Sequence, residues 1–211
     1  MTSPPTFTLR VDNVSKSFGR RIICRSVTLD LATGHSIAVV GPNGSGKSTF
    51  VKMLAGLIRP DQGAVVYNAN GAEIKPEERY RHLGFVSPDL ALYEELTGYE
   101  NLKFAAEVLG LSASKREFDL LLGEFGLAGR GEDYVGTYSS GMKHRLKLAA
   151  ALLKNPSLLL LDEPTVMLDE DGTGRVWSAL GRRRLALVIA TNDPEEADRA
   201  EMKVVMGVSG A

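Results

Sequence analysis

The chain has 211 residues and a formal net charge of −1 at neutral pH, and 44% of its residues are apolar. This balance gives no electrostatic reason to expect a nucleic-acid partner, because phosphate backbones attract basic surfaces. The single cysteine, Cys24, excludes an internal disulfide framework and is typical of a reducing compartment. No apolar run approaches the ~20 residues of a membrane-spanning helix, and residues 1–6 lack the regions of a signal peptide. We therefore expect a cytoplasmic protein that reaches a membrane only through a partner.

Strands are predicted for most of the N-terminal part of the chain. Segments 7–11, 22–31 and 36–40 have the composition of strands, and segment 63–68 follows a turn that contains proline and glycine. The N-terminal part of the chain is therefore expected to be rich in strands.

A glycine-rich loop follows the strand predicted at 36–40. Its sequence fits the pattern G-x-x-x-x-G-K-[ST], which wraps the phosphates of a nucleoside triphosphate. Glycine lacks a Cβ atom, so successive backbone N–H groups can point into one anion site. Lys47 supplies a positive charge for the β- and γ-phosphates, and the Ser48 hydroxyl is a ligand for Mg²⁺. The candidate phosphate-binding residues are Gly41, Pro42, Asn43, Gly44, Ser45, Gly46, Lys47, Ser48 and Thr49.

Three helices are predicted between residues 96 and 155. Thr97 and Glu100 form one capping box, and Ser114 and Glu117 form a second one. Segment 141–154 has apolar residues at helical spacing and is ended by an Asn-Pro pair. These residues predict a helical block inserted into an α/β domain.

The alternating α/β pattern resumes after this block. Segments 157–161 and 185–190 are apolar on both faces, as central parallel strands are. Asp193 starts a short helix as its N-cap, and 203–206 is predicted as the last strand. The three histidines, at positions 35, 82 and 144, lack metal-ligand spacing and are expected at the surface.

Two acidic residues end the leucine-rich strand at 157–161. A carboxylate at the tip of a central strand beside a phosphate-binding loop is where P-loop enzymes hold Mg²⁺, and we assign this role to Asp162. Glu163 follows directly and is a candidate general base for the attacking water.

With these motifs the chain resembles the ATP-binding subunits of ABC (ATP-binding cassette) transporters along nearly its whole length. Residues 41–49 match the family's Walker A motif, 158–162 with Glu163 its Walker B motif, and Leu168-Asp169 the end of its D-loop. The segment 138–142 stands at the position of the family's signature sequence. Phe18 occupies the position of the aromatic residue that stacks on adenine.

This resemblance implies an α/β fold with a P-loop NTPase core, an N-terminal antiparallel β subdomain and an inserted α-helical subdomain. The expected single ABC ATP-binding domain covers 1–211, with the core at 7–95 and 156–211 and the helical signature subdomain at 96–155.

The resemblance also implies that two cassettes join head to tail and bind two ATP with Mg²⁺. Each ATP would lie between Walker A of one cassette and Ser139 and Gly141 of the other. The implied partners are transmembrane permease subunits and a second copy or a homologous cassette, at the cytoplasmic face of the membrane. A short cassette with this signature resembles exporter-type ATPases.

The chain departs from the family pattern at several positions. Ser140 and Met142 replace a glycine and a glutamine of the signature, Pro88 stands at the place of the Q-loop glutamine, and Asn192 replaces the switch histidine. Asparagine can donate or accept a hydrogen bond but cannot take up a proton near neutral pH. With Glu163 present we expect hydrolysis, with Asn192 as a supporting catalytic residue. An ATP-held clamp with little turnover, and a soluble ABC ATPase without a role in transport, remain alternatives.

Overall fold

The computed structural model describes residues 6–207. Residues 1–5 lie outside the described part. They include most of the segment 1–6, for which the sequence predicts no signal peptide. The described residues form two compact units, one with 6–87, 157–164 and 184–207 and the other with 88–156 and 165–183. The segment 96–155, predicted as the helical subdomain, lies in the second unit. That unit also contains 88–95 and 165–183.

Regular elements follow one another closely along the described chain. The strands are β1 (Phe7–Phe18), β2 (Arg21–Ala32), β3 (Ser36–Val40), β4 (Gln62–Ala69), β5 (Ala72–Glu73), β6 (Leu83–Val86), β7 (Leu158–Asp162), β8 (Ala186–Thr191) and β9 (Met202–Val205). The α-helices are α1 (Lys47–Leu54), α2 (Gly98–Val108), α3 (Lys115–Glu124), α4 (Ser140–Leu152), α5 (Glu170–Gly181) and α6 (Pro194–Ala197). Short 3₁₀ helices cover Pro76–Arg81 and Val135–Thr137.

The first unit contains an antiparallel sheet with the strand order β2-β1-β4-β5. Leu9 and Val11 on β1 are fully buried while Thr8, Arg10 and Asp12 are exposed, which is the alternation of a half-buried strand. β1 is longer than the predicted segment 7–11 and pairs with β2 up to the turn, where Phe18 faces Arg21. The predicted antiparallel β subdomain is thus present.

A second sheet of the first unit is parallel and has the order β6-β7-β8-β3-β9. All five residues of β7 are buried, which explains why its four leucines present apolar side chains on both faces. In the parallel pairing Asp162 of β7 aligns with Ala190 of β8, and Val40 of β3 aligns with Thr191. The carboxyl ends of three neighbouring strands therefore lie at one edge, where ligands of open α/β sheets bind.

The second unit is helical. Thr97 and Ser114 cap α2 and α3, each in a complete capping box, as their sequences predict. His144 on α4 is only 4% exposed, so its expected surface position was wrong, because it lies on the buried face of the helix with Leu148. His82 is half-buried and stacks on Phe7, whereas His35 is exposed. Among the helices of residues 6–207, none is long and apolar enough to cross a membrane.

Candidate nucleotide-binding site

The loop between β3 and α1 has the backbone of a phosphate-binding loop. Gly41, Gly44 and Gly46 have φ angles of 151°, 77° and 105°, which residues with a side chain rarely adopt. A Cβ atom on Gly41 would lie 2.6 Å from the Met206 carbonyl oxygen, and one on Gly46 would lie 2.6 Å from Cγ2 of Ile23. The first and last of these glycines are therefore required by close packing as well as by conformation.

The N-terminus of α1 is open to an anion. Gly46 is its N-cap and offers no side chain to the first N–H groups, and the first turn carries no acidic residue. Unpaired N–H groups and the helix dipole favour a negative ligand at this end. The glycine backbone and the open helix end are the features that a phosphate-binding loop requires.

Lys47 is buried at the start of α1, with 5% of its surface exposed. Its Nζ donates hydrogen bonds to the carbonyl oxygens of Gly41 at 2.9 Å and Pro42 at 3.4 Å. The ammonium is thus held against the loop by two carbonyl oxygens. It has three N–H donors, so it can also donate to a phosphate oxygen.

Glu163 lies beside this lysine. Its Oε1 is 3.7 Å from Lys47 Nζ, and its backbone N–H donates to the Ala190 carbonyl at 2.8 Å. Its φ of 53° is unusual for a residue with a side chain and turns the chain sharply after β7. Burial raises the pKa of Glu163, and Lys47 and a hydrogen bond from the Asn192 backbone oppose that rise.

Asp162 ends β7 and is 3% exposed, while the Ser48 side chain on α1 is exposed. A hydroxyl and a carboxylate offer the oxygen donors that Mg²⁺ prefers. Within residues 6–207 no three His, Cys, Asp or Glu side chains form a group that could hold a metal ion. One hydroxyl and one carboxylate suit Mg²⁺, which usually takes one or two protein ligands and completes its shell with water and substrate phosphates.

Asn192, at the position of the family's switch histidine, is in contact with the phosphate-binding loop. Its Nδ2 donates to Oδ1 of Asn43 at 3.0 Å. The structure thus brings together Asn43, Lys47, Asp162, Glu163 and Asn192 at one edge of the parallel sheet.

Phe18 lies on the β1–β2 hairpin and is 51% exposed. Nζ of Lys16 lies 5.1 Å from its ring centroid. Arg21, which pairs with Phe18, has an Nη2 atom 3.5 Å from where a Cβ of Gly44 would be. The hairpin end is therefore next to the phosphate-binding loop, and its exposed ring is free of core packing.

Two residues near this site, Arg21 and Glu196, carry no signal of their position in the sequence. Arg21 approaches the loop, but a strand residue of a hairpin carries no signal of that proximity. Glu196 on α6 is 4% exposed and raises the pKa of Glu163. Its sequence context, an acidic first helical turn, is typical of an exposed residue, so nothing in the pattern indicated burial.

The signature residues belong to the second unit. Ser139 is the N-cap of α4, and its hydroxyl accepts a hydrogen bond from the Met142 N–H at 3.2 Å. A Cβ on Gly141 would be 3.0 Å from the Met167 carbonyl oxygen, so the D-loop lies close to the helix start. The first turn of α4 carries no acidic residue and suits an anion.

Pro88, at the position of the absent Q-loop glutamine, lies in the same unit. Nζ of Lys147 on α4 donates to its carbonyl oxygen at 3.0 Å. Burial lowers the pKa of Lys147, and nearby Asp89 opposes that change. Pro88 has no side-chain donor or acceptor, so its contact with α4 is made by its backbone carbonyl.

The fold and the phosphate cradle define a P-loop nucleotide-binding protein. Residues 24–166 match the family model described as ABC transporter. A linearmycin resistance ATP-binding protein of Bacillus subtilis is 36% identical over 172 residues, 80% of this chain and 55% of that protein. A sulfate/thiosulfate import ATP-binding protein of Thermosynechococcus vestitus is 36% identical over 205 residues, 94% of this chain and 61% of that protein.

A solved ATP-binding subunit of an ABC transporter has the same fold. It superimposes with a TM-score of 0.83 at 30% identity, over 94% of this chain and 85% of that chain. The chain belongs to the ABC transporter family, as an ATP-binding protein. It spans a little more than half the length of the two curated relatives.

Proposed function

We propose that this chain is the ATP-hydrolysing subunit of a membrane transporter of the exporter type and that it works as a head-to-tail dimer around two ATP. The observation that supports hydrolysis best is the position of Glu163, whose carboxylate is 3.7 Å from Lys47 in the phosphate-binding loop. A carboxylate there can accept a proton from water that attacks a phosphate held by the loop.

Binding of ATP would use the cradle from Gly41 to Thr49. Its N–H groups and Lys47 would hold the phosphates, and the exposed ring of Phe18 would stack on adenine. Ser48 and Asp162 would hold Mg²⁺, which neutralises charge on the β- and γ-phosphate oxygens.

The proton of the attacking water would pass to Glu163. Because burial raises the pKa of this carboxyl, its carboxylate is a stronger base than an exposed glutamate. Asn192 would hold the attacking water or the γ-phosphate through a hydrogen bond, and it takes up no proton.

A dimer is needed because the signature residues would serve the nucleotide of the other cassette. Ser139 and the open first turn of α4 would supply a second anion site for the γ-phosphate, with Gly141 permitting close approach. ATP would hold the dimer closed, and hydrolysis would release it.

Transmembrane permease subunits would bind the dimer at the cytoplasmic face of the membrane, and its closing and opening would be transmitted to them. Export is favoured by the signature segment 138–142, which resembles that of exporter-type ATPases, and by the resistance function in the name of the Bacillus subtilis relative. The sulfate/thiosulfate relative is named for import, so the family alone decides no direction. No nucleic acid is expected as a partner.

The test is to purify the chain with its partners from detergent-solubilised membranes of its source. A stoichiometric polytopic membrane protein, together with ATP turnover that Glu163→Gln abolishes, is the expected result. Turnover near zero in the intact complex would support the ATP-held clamp instead. Recovery with soluble partners alone would support a soluble ABC ATPase.

Dimerisation has its own test in the Glu163→Gln background, where bound ATP persists. Light scattering should detect an ATP-dependent dimer that Ser139→Ala weakens. The matched control is Ser114→Ala, because Ser114 caps α3 through a hydrogen bond from Glu117 N–H at 3.3 Å just as Ser139 caps α4. Equal dimerisation in both variants would contradict the proposed role of the signature.

A further inference from the structure

The side chains of Asn192 and Asn43 are hydrogen-bonded although 149 residues separate them in the chain. Asn192 follows β8, and Asn43 lies in the phosphate-binding loop after β3. The two strands are paired, with Val40 beside Thr191, which brings the two segments together at one edge of the sheet. The bond at 3.0 Å therefore joins the switch position to the ATP-binding loop.

Asn192 is attached to the site at two points. Its backbone is hydrogen-bonded to the Glu163 carboxylate, and its Nδ2 donates to Asn43 Oδ1. The side chain has two N–H donors and one carbonyl acceptor. After the bond to Asn43, one donor and the acceptor remain for a ligand or a water molecule.

We propose that Asn43 is the positioning residue for Asn192, so that the phosphate-binding loop itself orients the amide that replaces the switch histidine. This inference rests on the proposed ATP hydrolysis. The Asn43 side chain would act through Asn192 and would not contact the reacting atoms, while its backbone N–H stays part of the phosphate-binding loop.

The physical reason is the mobility of an exposed asparagine. Both side chains are exposed, so packing does not hold Asn192 in one rotamer. The hydrogen bond that Asn192 donates to the loop restricts the amide before ATP binds. Preorganised groups stabilise a transition state more than mobile groups do.

The alternative role is inhibitory: Asn43 would keep Asn192 away from the nucleotide. The two roles predict changes of opposite sign. Removal of the Asn43 carbonyl slows hydrolysis if the bond positions Asn192 and accelerates it if the bond holds Asn192 back.

The experiment is a double-mutant cycle on ATP turnover in the purified transporter complex. Asn43→Leu keeps the shape of the side chain and the backbone N–H groups but removes the acceptor. We expect kcat to fall roughly two- to tenfold, the range of one net hydrogen bond, with little change in KM for ATP. In the Asn192→Ala background, Asn43→Leu should have no further effect on kcat.

Asn68→Leu is the matched control, because Asn68 lies on β4 outside the nucleotide site and should leave turnover as it is. Additive effects of the two site variants, or faster turnover of Asn43→Leu, would overturn the positioning role while the proposed hydrolysis stands. A wild-type complex that binds ATP without turnover would refute the hydrolysis itself. A rise in KM with unchanged kcat would assign Asn43 to ATP binding alone and would also overturn the inference.

Discussion

Lys47 and Glu163 lie 3.7 Å apart between Nζ and Oε1, with the lysine almost fully buried. The ammonium lowers the pKa of the carboxyl, but burial of the carboxyl outweighs it and the net change is a rise. Asp162 and Glu196 add to the rise through their negative charges. The balance of these groups controls the pH at which Glu163 can act as a base.

The acid limb of ATP turnover should therefore be centred above the ordinary glutamate pKa of about 4.5. Below the raised pKa the carboxyl is protonated and cannot accept a proton, so kcat falls as the pH falls. Glu196→Gln removes one of the negative charges that raise this pKa and should move the limb to lower pH. The measurement is kcat between about pH 5 and 8, with saturating ATP.

Glu195→Gln provides the control for this shift, because Glu195 is the exposed neighbour on the same short helix. It should leave the limb in place. An equal shift in both variants, or a limb that stays fixed in Glu196→Gln, would contradict the assignment of Glu163 as the titrating base.

The raised pKa also has a consequence for stability. The folded chain binds the Glu163 proton more tightly than the unfolded chain, so this carboxyl costs folding free energy as the pH rises through its folded pKa. A neutral glutamine avoids that cost. We expect the Tm of Glu163→Gln at neutral pH to be no lower than that of the wild type. Its loss of turnover, about 10²–10⁴-fold, would then reflect the missing general base and not unfolding.

Phe18 should contribute to nucleotide affinity through its exposed ring. Phe18→Ala should weaken ATP and GTP binding alike, by about 1–3 kcal/mol, because stacking is tolerant of the base. Tripolyphosphate has no base, so its affinity should not change. Calorimetric titration of the three ligands makes this comparison.

Ile22→Ala is a suitable control because Ile22 is an exposed apolar residue on the same hairpin, 55% exposed against 51% for Phe18. Equal losses for ATP and tripolyphosphate in Phe18→Ala would point to a disturbed loop rather than to stacking.

Alanine substitutions at Gly46 and Gly56 distinguish the cost of backbone strain from the cost of steric overlap. Both have positive φ, but a Cβ on Gly56 meets nothing within 4 Å, whereas one on Gly46 lies 2.6 Å from Ile23 Cγ2. Gly56→Ala should cost about 1–2 kcal/mol of unfolding free energy and leave ATP binding intact. Gly46→Ala should cost more and should also weaken ATP binding, as denaturant titration and calorimetry can determine.

The phosphate-binding loop was predictable from the sequence because its chemistry depends on residue types at fixed spacing. The motif Gly41–Thr49 specifies its own backbone, so the φ angles of Gly44 and Gly46 agree with it. The burial of β7 was predictable for a similar reason, since four consecutive leucines suit a strand that is covered on both faces.

Residues that act through tertiary contacts could not be predicted in this way. The burial of Glu196 and His144 depends on which face of a helix is covered, and a polar residue at such a position gives no local signal. The bond between Asn43 and Asn192 depends on the pairing of β3 with β8. The sequence pattern predicts that both strands belong to one sheet, but it does not predict that they are neighbours.

Lys147 should hold the backbone at Pro88 through its hydrogen bond to the carbonyl oxygen. Lys147→Met keeps an apolar stem but removes the donor that lies 3.0 Å from the Pro88 carbonyl oxygen. The loss of one such bond, about 1 kcal/mol, should speed amide hydrogen exchange in the residues that follow Pro88 by roughly fivefold. Lys103→Met is the control, because Lys103 carries the same charge but forms an exposed ion pair with Glu107 on α2. It should leave the amide exchange after Pro88 unaltered. If both variants exchange alike after residue 88, Lys147 contributes charge to this unit and does not anchor the segment.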